Sequence, residues 1–542
     1  MIQRSQPLLL ASLVAILSCS TAVALSVPKI QARILDGPET LRESYDYVII
    51  GGGTAGLTVG DRLSEDGETT VLVIENGELA NSDEINNVRD RVTWSAEPWW
   101  LYNITSGPNK ELDNLESIVY AASVVGGGSA LNGMQCLRGT KKDYDRWGSF
   151  FGRGSPWSWD GILPYFKKAS RLFFRGLHFQ PPSQETMDQM PGLKYDESYW
   201  GTTSRLYAGW PYFQWPGTSE RLRYLPGVEV PGDSGAGQSG VYWYPTYMDA
   251  KGSRNRSYAR TAHWDGLNRA NYELLIWFKV HKIELDGNKA TGVVFGPNEA
   301  GREDVDLTTV NVNKQVILSA GTIHSPQLLQ LSGIGPRKLL ESAGIETKVD
   351  LPGDNFTDPD FVAWAETIRS SNEVFYSHYF SGDEPVNYFT CEHPLSRGSI
   401  NINISAPESE LIVDYRTYSS PADFDIMLEL ARFHRYINEE SPLLVEFDPV
   451  ETSPSLNTTS REEWVTYMRQ NTVPTAMHPA GTCAMMPLEL GGVVDEQLRV
   501  YGAEGLRVVD ASVMNVIVRG NIAGPVFAIA EKGAEIIKQS SK

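Results

Sequence analysis

The segment from Tyr45 to Glu75, YDYVIIGGGTAGLTVGDRLSEDGETTVLVIE, constrains the fold of this chain more than any other. The apolar run Tyr47 to Ile50 reads as a buried strand. Gly51, Gly53 and Gly56 follow with G-x-G-x-x-G spacing, a helical pattern spans Thr54 to Leu63, and a second apolar strand from Val71 to Ile74 ends on Glu75. This order predicts a βαβ unit that holds a dinucleotide. The glycines let the backbone turn tightly and approach a pyrophosphate, whose charge rests at the helix N-terminus. Glu75 stands about 20 residues after the glycines, where a carboxylate accepts ribose hydroxyls. A bare glycine spacing also occurs as a tight turn in unrelated α/β domains; both strands and the acid together favour the dinucleotide. The segment leaves open which dinucleotide binds and what chemistry follows.

At 542 residues the chain has room for two large domains. Its formal charge of -20 argues against nucleic-acid and anionic-membrane partners, which need basic patches. Arg4, the apolar run Leu8 to Leu17 and Ala22-Val23-Ala24 form a signal-peptide pattern with cleavage after residue 24. The apolar run is short for a membrane span, which needs roughly 20 residues. A secreted or secretory-lumen protein is expected. Asn103, Asn255, Asn355, Asn403 and Asn457 each begin an N-x-S/T acceptor, so a glycoprotein is expected too. Loss of Cys19 with the signal leaves Cys136, Cys391 and Cys483, enough for one disulfide at most. A packed core must hold this chain together.

Further along, ESIVYAASVVGGGSALNGMQCLRG (Glu116 to Gly139) is rich in glycine and small residues. It suits close backbone approach to a bulky flat ligand, and it also reads as a flexible loop. Residues 140–250 are loop-rich and aromatic. A strand is predicted over Leu274 to Val280, forming a hairpin through Asp286-Gly287 with Thr291 to Phe295. Gln315 to Ser319 reads as a buried strand, and a helix follows from about Ser325 to Leu331, with Pro326 in its first turn and Gly333 closing it. Asp423 to Tyr436 reads as helical, Leu506 to Val509 as a strand ending on Asp510, and Gly524 to Lys538 as an amphipathic helix. Nucleotide-fold elements at the start, middle and end imply two interleaved domains.

Near the C-terminus stand His478-Pro479-Ala480-Gly481-Thr482, Gly491-Gly492-Val493-Val494-Asp495, Leu506 to Ser512 and Gly520-Asn521. With Tyr47 to Gly56 plus Glu75, Gly126 to Gly139 followed by Asp143-Tyr144-Asp145-Arg146-Trp147, and Ser319 to Gly335 (SAGTIHSPQLLQLSGIG), they make four ordered blocks. The chain resembles the glucose–methanol–choline (GMC) oxidoreductases, the flavoenzyme family of glucose oxidase and aryl-alcohol oxidase, over nearly its whole mature length. The resemblance implies a Rossmann-like FAD-binding domain (α/β) from residues 42–140, 257–355 and 478–542. Interleaved with it would be an α+β substrate domain, built on an antiparallel sheet, from residues 141–256 and 356–477. It implies FAD rather than NAD. Gly51, Gly53, Thr54, Ala55 and Gly56 with Glu75 and Asn76 would hold the ADP half, and Ser129, Ala130, Leu131 and Asn132 would lie along the pyrophosphate and flavin. Val280 would meet the adenine, Asp510 and Ala511 the ribityl and pyrophosphate, and Ile522 and Ala523 the ring.

His478 and Asn521 match the family's catalytic pair. Oxidising an alcohol removes a hydroxyl proton and a hydride from one carbon; FAD takes the hydride at N5. A neutral imidazole is a natural base for the proton, and Asn521 can donate to the developing alkoxide. Taken alone, His478 reads as a buried structural histidine and Asn521 as the N-cap of the last helix. His324, His393 and His434 read as surface or packing residues, and no metal-ligand spacing appears. The expected activity is oxidation of a primary or aryl alcohol, with electrons passed to oxygen or another acceptor, in secondary metabolism, by a monomer or homodimer. Lyases and cyclases on the same flavin fold are the alternative, and an inactive binding protein a third reading. Two departures stand out. Asp354 to Pro359 lacks the histidine relatives carry after the Leu351-Pro352-Gly353 turn, and the chain reaches Cys391-Glu392-His393 early, so the substrate domain is expected to be shortened. Ala122-Ser123 stands where relatives have glycine and a basic residue.

Overall fold

A computed structural model describes residues 32–80, 83–86, 98–152, 154–167, 169–170, 173–174, 176–190, 192–211, 231–240, 242–298, 306–351, 390–408, 411–440 and 450–541. The expected signal peptide, Asn355 and most of the shortened stretch lie outside the described residues. The main sheet contains β1 (Arg33–Leu35), β2 (Ser44–Ile50), β3 (Val71–Glu75), β4 (Tyr272–Ile276), β5 (Phe278–Asp286), β6 (Lys289–Pro297) and β7 (Thr308–Leu318). Beyond it, β8 (Ser399–Ile402) pairs with β9 (Leu411–Asp414), and β10 (Leu506–Val508) returns to the main sheet. Strands run in the order β1-β4-β3-β2-β7-β6-β5, with β10 alongside the C-terminal half of β7. The pairs from β1 to β7 and β7–β10 are parallel, whereas β5–β6–β7 is an antiparallel meander.

The central strands are apolar without alternation because both faces are covered. Val48 to Ile50 and all of β3 are buried. The helices are α1 (Thr54–Leu63), which packs on β2 and β3, α2 (Gly128–Leu131), α3 (Lys141–Ser149), α4 (Trp159–Lys167), α5 (Ala259–His263), α6 (Gly321–Leu331), which packs on β5, α7 (Pro421–Glu440), α8 (Arg461–Asn471) and α9 (Ala523–Ser540), which packs along α1. The predicted βαβ unit is present with its helix bounds unchanged. Three expectations are corrected. Leu274 to Val280 is not one strand: the chain breaks at Trp277, with φ 64°, so β4 joins the parallel sheet and β5 the hairpin. The helix predicted from Ser325 begins at Gly321, so Pro326 lies inside it rather than in its first turn. Its earlier start is fixed by tertiary bonds, since Asp510 Oδ2 accepts from Gly321 N–H at 2.9 Å and from Ser325 Oγ at 2.6 Å. The Gly126–Ser129 run is not a loose loop, because α2 forms within it. Among the described residues, the antiparallel sheet of the 356–477 region is represented by β8 and β9. Cys136, Cys391 and Cys483 form no disulfide.

Buried charge locks α1 to α9. Arg62 Nε donates to both Glu531 oxygens at 3.0 and 2.9 Å, and Nη2 adds a bond of 2.8 Å. Asp61 accepts from Arg269 Nη1 at 2.6 Å and faces His263 Nδ1 at 2.9 Å. Burial would raise the Asp61 pKa, but Arg62, His263 and Arg269 outweigh it and hold the carboxylate ionised. No helix among the described residues is long and apolar enough to cross a membrane. Removing Glu531 takes away the fork and leaves Arg62 with Asp61 at 3.0 Å and Glu65 at 3.9 Å, at a cost of about 1.5–3 kcal/mol for the lost charged hydrogen bonds. Glu531→Ala is therefore expected to lower the denaturant midpoint clearly; an unshifted midpoint in chemical unfolding would remove this network from the forces holding α1 against α9.

Candidate active site and cofactor cradle

Four of the parallel strands end at one cavity. Gly51 follows β2, Glu75 closes β3, Ser319 to Gly321 follow β7, and Asp510 follows β10; all of them line it. Ligands in open α/β sheets bind at such carboxyl ends, where the strand order reverses. Here the chain leaves β2 for β3 on one side and returns through β7 on the other. The turn after β2 tolerates no side chain. At Gly51 (φ +102°) an added Cβ would lie 2.5 Å from the Ser319 carbonyl oxygen, and at Gly56 it would lie 1.9 Å from that of Gly51. Gly53, which precedes α1, makes no side-chain cap, and the first turn carries no acid. The N–H groups at this helix start are thus suited to an anion.

The cavity measures about 2060 Å³. That is larger than the roughly 300–1,000 Å³ of an ordinary small-molecule site. Of the residues expected at the cofactor, Gly51, Gly53, Thr54, Ala55, Glu75, Asn76, Ser129, Leu131, Asn132, Val280, Asp510, Ala511, Ile522 and Ala523 line it, together with His478 and Asn521. Gly56 and Ala130 stand behind the wall; Ala130 packs with Val124 and Tyr258. Glu75 accepts from Gly52 N–H at 2.7 Å and Gly77 N–H at 2.8 Å. Burial pushes its carboxyl up to about 7 against those two bonds. Asp510 is committed to Gly321, Ser325 and Ser512, and so pins α6 to the sheet.

At the other end, His478 follows three non-glycine residues in left-handed conformation: Thr475 (φ 56°), Ala476 (45°) and Met477 (64°). Such backbone costs on the order of 1–3 kcal/mol per residue and persists only when its surroundings impose it. Just past them, reciprocal bonds tie the chain to α6: Thr482 Oγ1 donates to Thr322 O at 2.6 Å, and Thr322 Oγ1 to Pro479 O at 2.8 Å. Asn521 Nδ2 lies 3.2 Å from His478 Nε2. The N-cap position of α9 belongs to Ile522, without a side-chain bond, so Asn521 is not the cap. Burial pushes the His478 imidazole down to about 4, although a bond with the Ala476 backbone pulls it up.

Other residues on this cavity carried no signal in the sequence. His324 is half-buried and lines the wall with Tyr102, their ring centroids 4.0 Å apart. Burial pushes its imidazole down to about 3. Cys391, Glu392, His393 and His434 also line the cavity, and His434 is buried. Tyr102 and His324 are more than 200 positions apart, and no local motif links them.

Residues 45–194 and 226–358 match the N-terminal family model described as GMC oxidoreductase, and residues 394–530 match the C-terminal one. The chain belongs to the GMC oxidoreductase family. Dehydrogenase xptC of Emericella nidulans is 29% identical, over 95% of this chain and 96% of that protein. A solved fungal aryl-alcohol oxidase superposes with TM-score 0.80 at 29% identity, covering 92% of this chain and 100% of that one. An FAD-dependent oxidoreductase from Chaetomium thermophilum gives TM-score 0.79 at 30% identity, with the same coverage. This GMC chain is therefore an FAD-dependent oxidoreductase acting on alcohol-type donors. Its residues fit FAD: a side-chain-free glycine cradle, an uncapped α1 start, and a long cavity that reaches a second uncapped helix start at α9. Glu75→Ala would leave the Gly52 and Gly77 donors unpaired and remove the acceptor for ribose hydroxyls. Loss of such a buried acceptor costs about 1–3 kcal/mol, so FAD affinity should fall roughly 10–100-fold. Flavin absorbance after desalting and titration back with FAD measures it.

Proposed function

We propose that this enzyme oxidises a primary or aryl alcohol, with His478 as the base and Asn521 as the donor to the substrate oxygen. The observation that carries this reading is the 3.2 Å His478–Asn521 pair at the end of a cavity sized for FAD. FAD, when bound, supplies the acceptor for the hydrogen leaving the alcohol carbon. With Asn521 Nδ2 as donor, Nε2 of His478 carries the lone pair. A hydroxyl entering between the two side chains takes the Asn521 N–H and gives its own proton to Nε2. So low a pKa makes His478 a poor base for forming a free alkoxide. It suits proton loss in step with removal of the carbon-bound hydrogen.

The outer cavity wall includes Tyr418, Met427, Trp464, Tyr467 and Met468, an apolar and aromatic surface that favours an aryl substrate. The aryl-alcohol oxidase among the solved relatives supports the same donor class. We read residues 42–140, 257–355 and 478–542 as the FAD-binding unit and residues 141–256 and 356–477 as the substrate unit. We also infer a secreted glycoprotein. The support is the Arg4 to Ala24 pattern and the acceptor asparagines: Asn103, Asn255 and Asn457 are exposed, and Asn403 is half-buried.

Anaerobic mixing with aryl, aliphatic and sugar alcohols should bleach the flavin with its donor class; conversion of substrate while the flavin stays oxidised would point to lyase or cyclase chemistry instead. Oxygen uptake then identifies the electron acceptor. His478→Ala should keep its FAD and lose about 10²–10⁴-fold in turnover; unchanged turnover overturns the assignment. Because folding lowers the His478 pKa, the imidazole stays neutral well below its ordinary value of 6.5. The acid limb of kcat/KM should accordingly fall near pH 4, and a limb at 6.5 would show that burial does not control this group.

A further inference from the structure

Glu392 has no part in the reaction as described above, yet it lines the same cavity as His478 and Asn521. It is buried, and its Oε2 accepts a 2.9 Å bond from the N–H of Gly520, the residue before Asn521. Its neighbour His393 reaches Asp143, with Nε2 3.1 Å from Oδ1. Asp143 Oδ2 in turn accepts from the Arg519 N–H at 3.2 Å and the Thr140 N–H at 2.7 Å. Residues 392 and 393 thus hold consecutive links, 520 directly and 519 through Asp143, of the turn that carries Asn521.

The surrounding charges decide the form of this acid. Asp143 faces it from α3, Arg519 and the Gly520 N–H from the turn before α9, and Tyr242 from the 242–247 strip. Arg519 lies 3.8 Å from Asp143, so these two opposite charges already offset each other. An ionised Glu392 would leave one uncompensated negative charge in a buried site. Burial pushes its carboxyl up to about 8; the Gly520 bond opposes this, Asp143 adds to it and Arg519 opposes it.

We propose that Glu392 is a positioning residue: as a neutral acid it fixes the Gly520–Asn521 turn against His478 and keeps a second anion away while the substrate oxygen gains negative charge. This rests on the reading of His478 and Asn521 as the reactive pair. Glu392→Gln retains a neutral carbonyl acceptor for Gly520; Glu392→Ala does not. Both are compared with the native protein in flavin-loaded form. The native enzyme should lose kcat above about pH 8. Glu392→Gln should keep kcat there, and Glu392→Ala should lose about tenfold at every pH with KM little changed, the scale of one misplaced hydrogen-bond donor. Infrared spectra should show a carboxylic-acid C=O band in the native protein that disappears above pH 8 and is absent from Glu392→Gln. An alkaline limb that persists in Glu392→Gln, native kcat in Glu392→Ala, or a missing band at neutral pH would each overturn the proposal. If the band is present but no alcohol reduces the flavin, the reactive-pair reading fails instead.

Discussion

The site depends on how closely backbone can approach backbone at the end of β2. Added Cβ atoms at Gly51 and Gly56 would fall 2.5 and 1.9 Å from carbonyl oxygens, well inside contact distance. Without side chains there, β2 can turn sharply into α1 while the Ser319–Gly321 segment closes in from β7. Gly127 comes equally near, its would-be Cβ 2.8 Å from Gly53 Cα. Three segments separated by about 70 and 190 positions therefore meet through main chain alone. Many of their N–H groups bond within the protein, Gly51 to Ile74 O, Gly126 to Gly52 O, Ser319 to Ile50 O and Gly321 to Asp510, which leaves the uncapped start of α1 to face an anion.

That arrangement holds only if the last helix is fixed against the first. The start of α9 supplies Ile522 and Ala523 to the cavity, and its body packs along α1. Apolar contact alone fixes the distance between two helices loosely, whereas the Arg62–Glu531 fork fixes their rotation and register. The cost of burying those charges is offset by the further bonds that Asp61 makes to Arg269 and His263. One end of this helix pair thus anchors the cofactor cradle, and the turn before α9 delivers Asn521 to His478. Cradle and reactive pair are two ends of one rigid contact.

Legibility in the sequence followed the locality of each determinant. The βαβ unit was readable because strand, turn, helix and acid lie within one window, and its helix bounds match. His478 and Asn521 were readable through ordered blocks, although the 3.2 Å contact between them spans 43 positions and needed coordinates. The start of α6 was misplaced because the Asp510 bonds to Gly321 and Ser325 come from the far end of the chain. The break at Trp277 was missed because an apolar run shows no boundary when only the partner strand changes. Taken alone Asn521 reads as a helix cap; the ordered blocks pair it with His478, and its amide lies 3.2 Å from that imidazole while Ile522 holds the cap position.

Four titratable groups on the cavity share one tendency. Burial drives the Glu75 and Glu392 carboxyls up and the His324 and His478 imidazoles down, each toward its neutral form. Cations on the wall are engaged or weakened: Arg435 binds Glu451, Arg397 binds the Pro394 and Ser396 carbonyls, and burial lowers the Lys279 pKa. The Ser123 hydroxyl accepts from Asn76 Nδ2 at 2.8 Å. The uncapped starts of α1 and α9 are thus the groups on this cavity that suit an anion. The lack of strong fixed charge has a consequence at the reactive end. On the proposed reading, the charge that develops on the substrate oxygen meets the Asn521 N–H and the proton passing to His478, and Glu392, the buried acid bonded to the turn that carries Asn521, sets the alkaline limit of that arrangement.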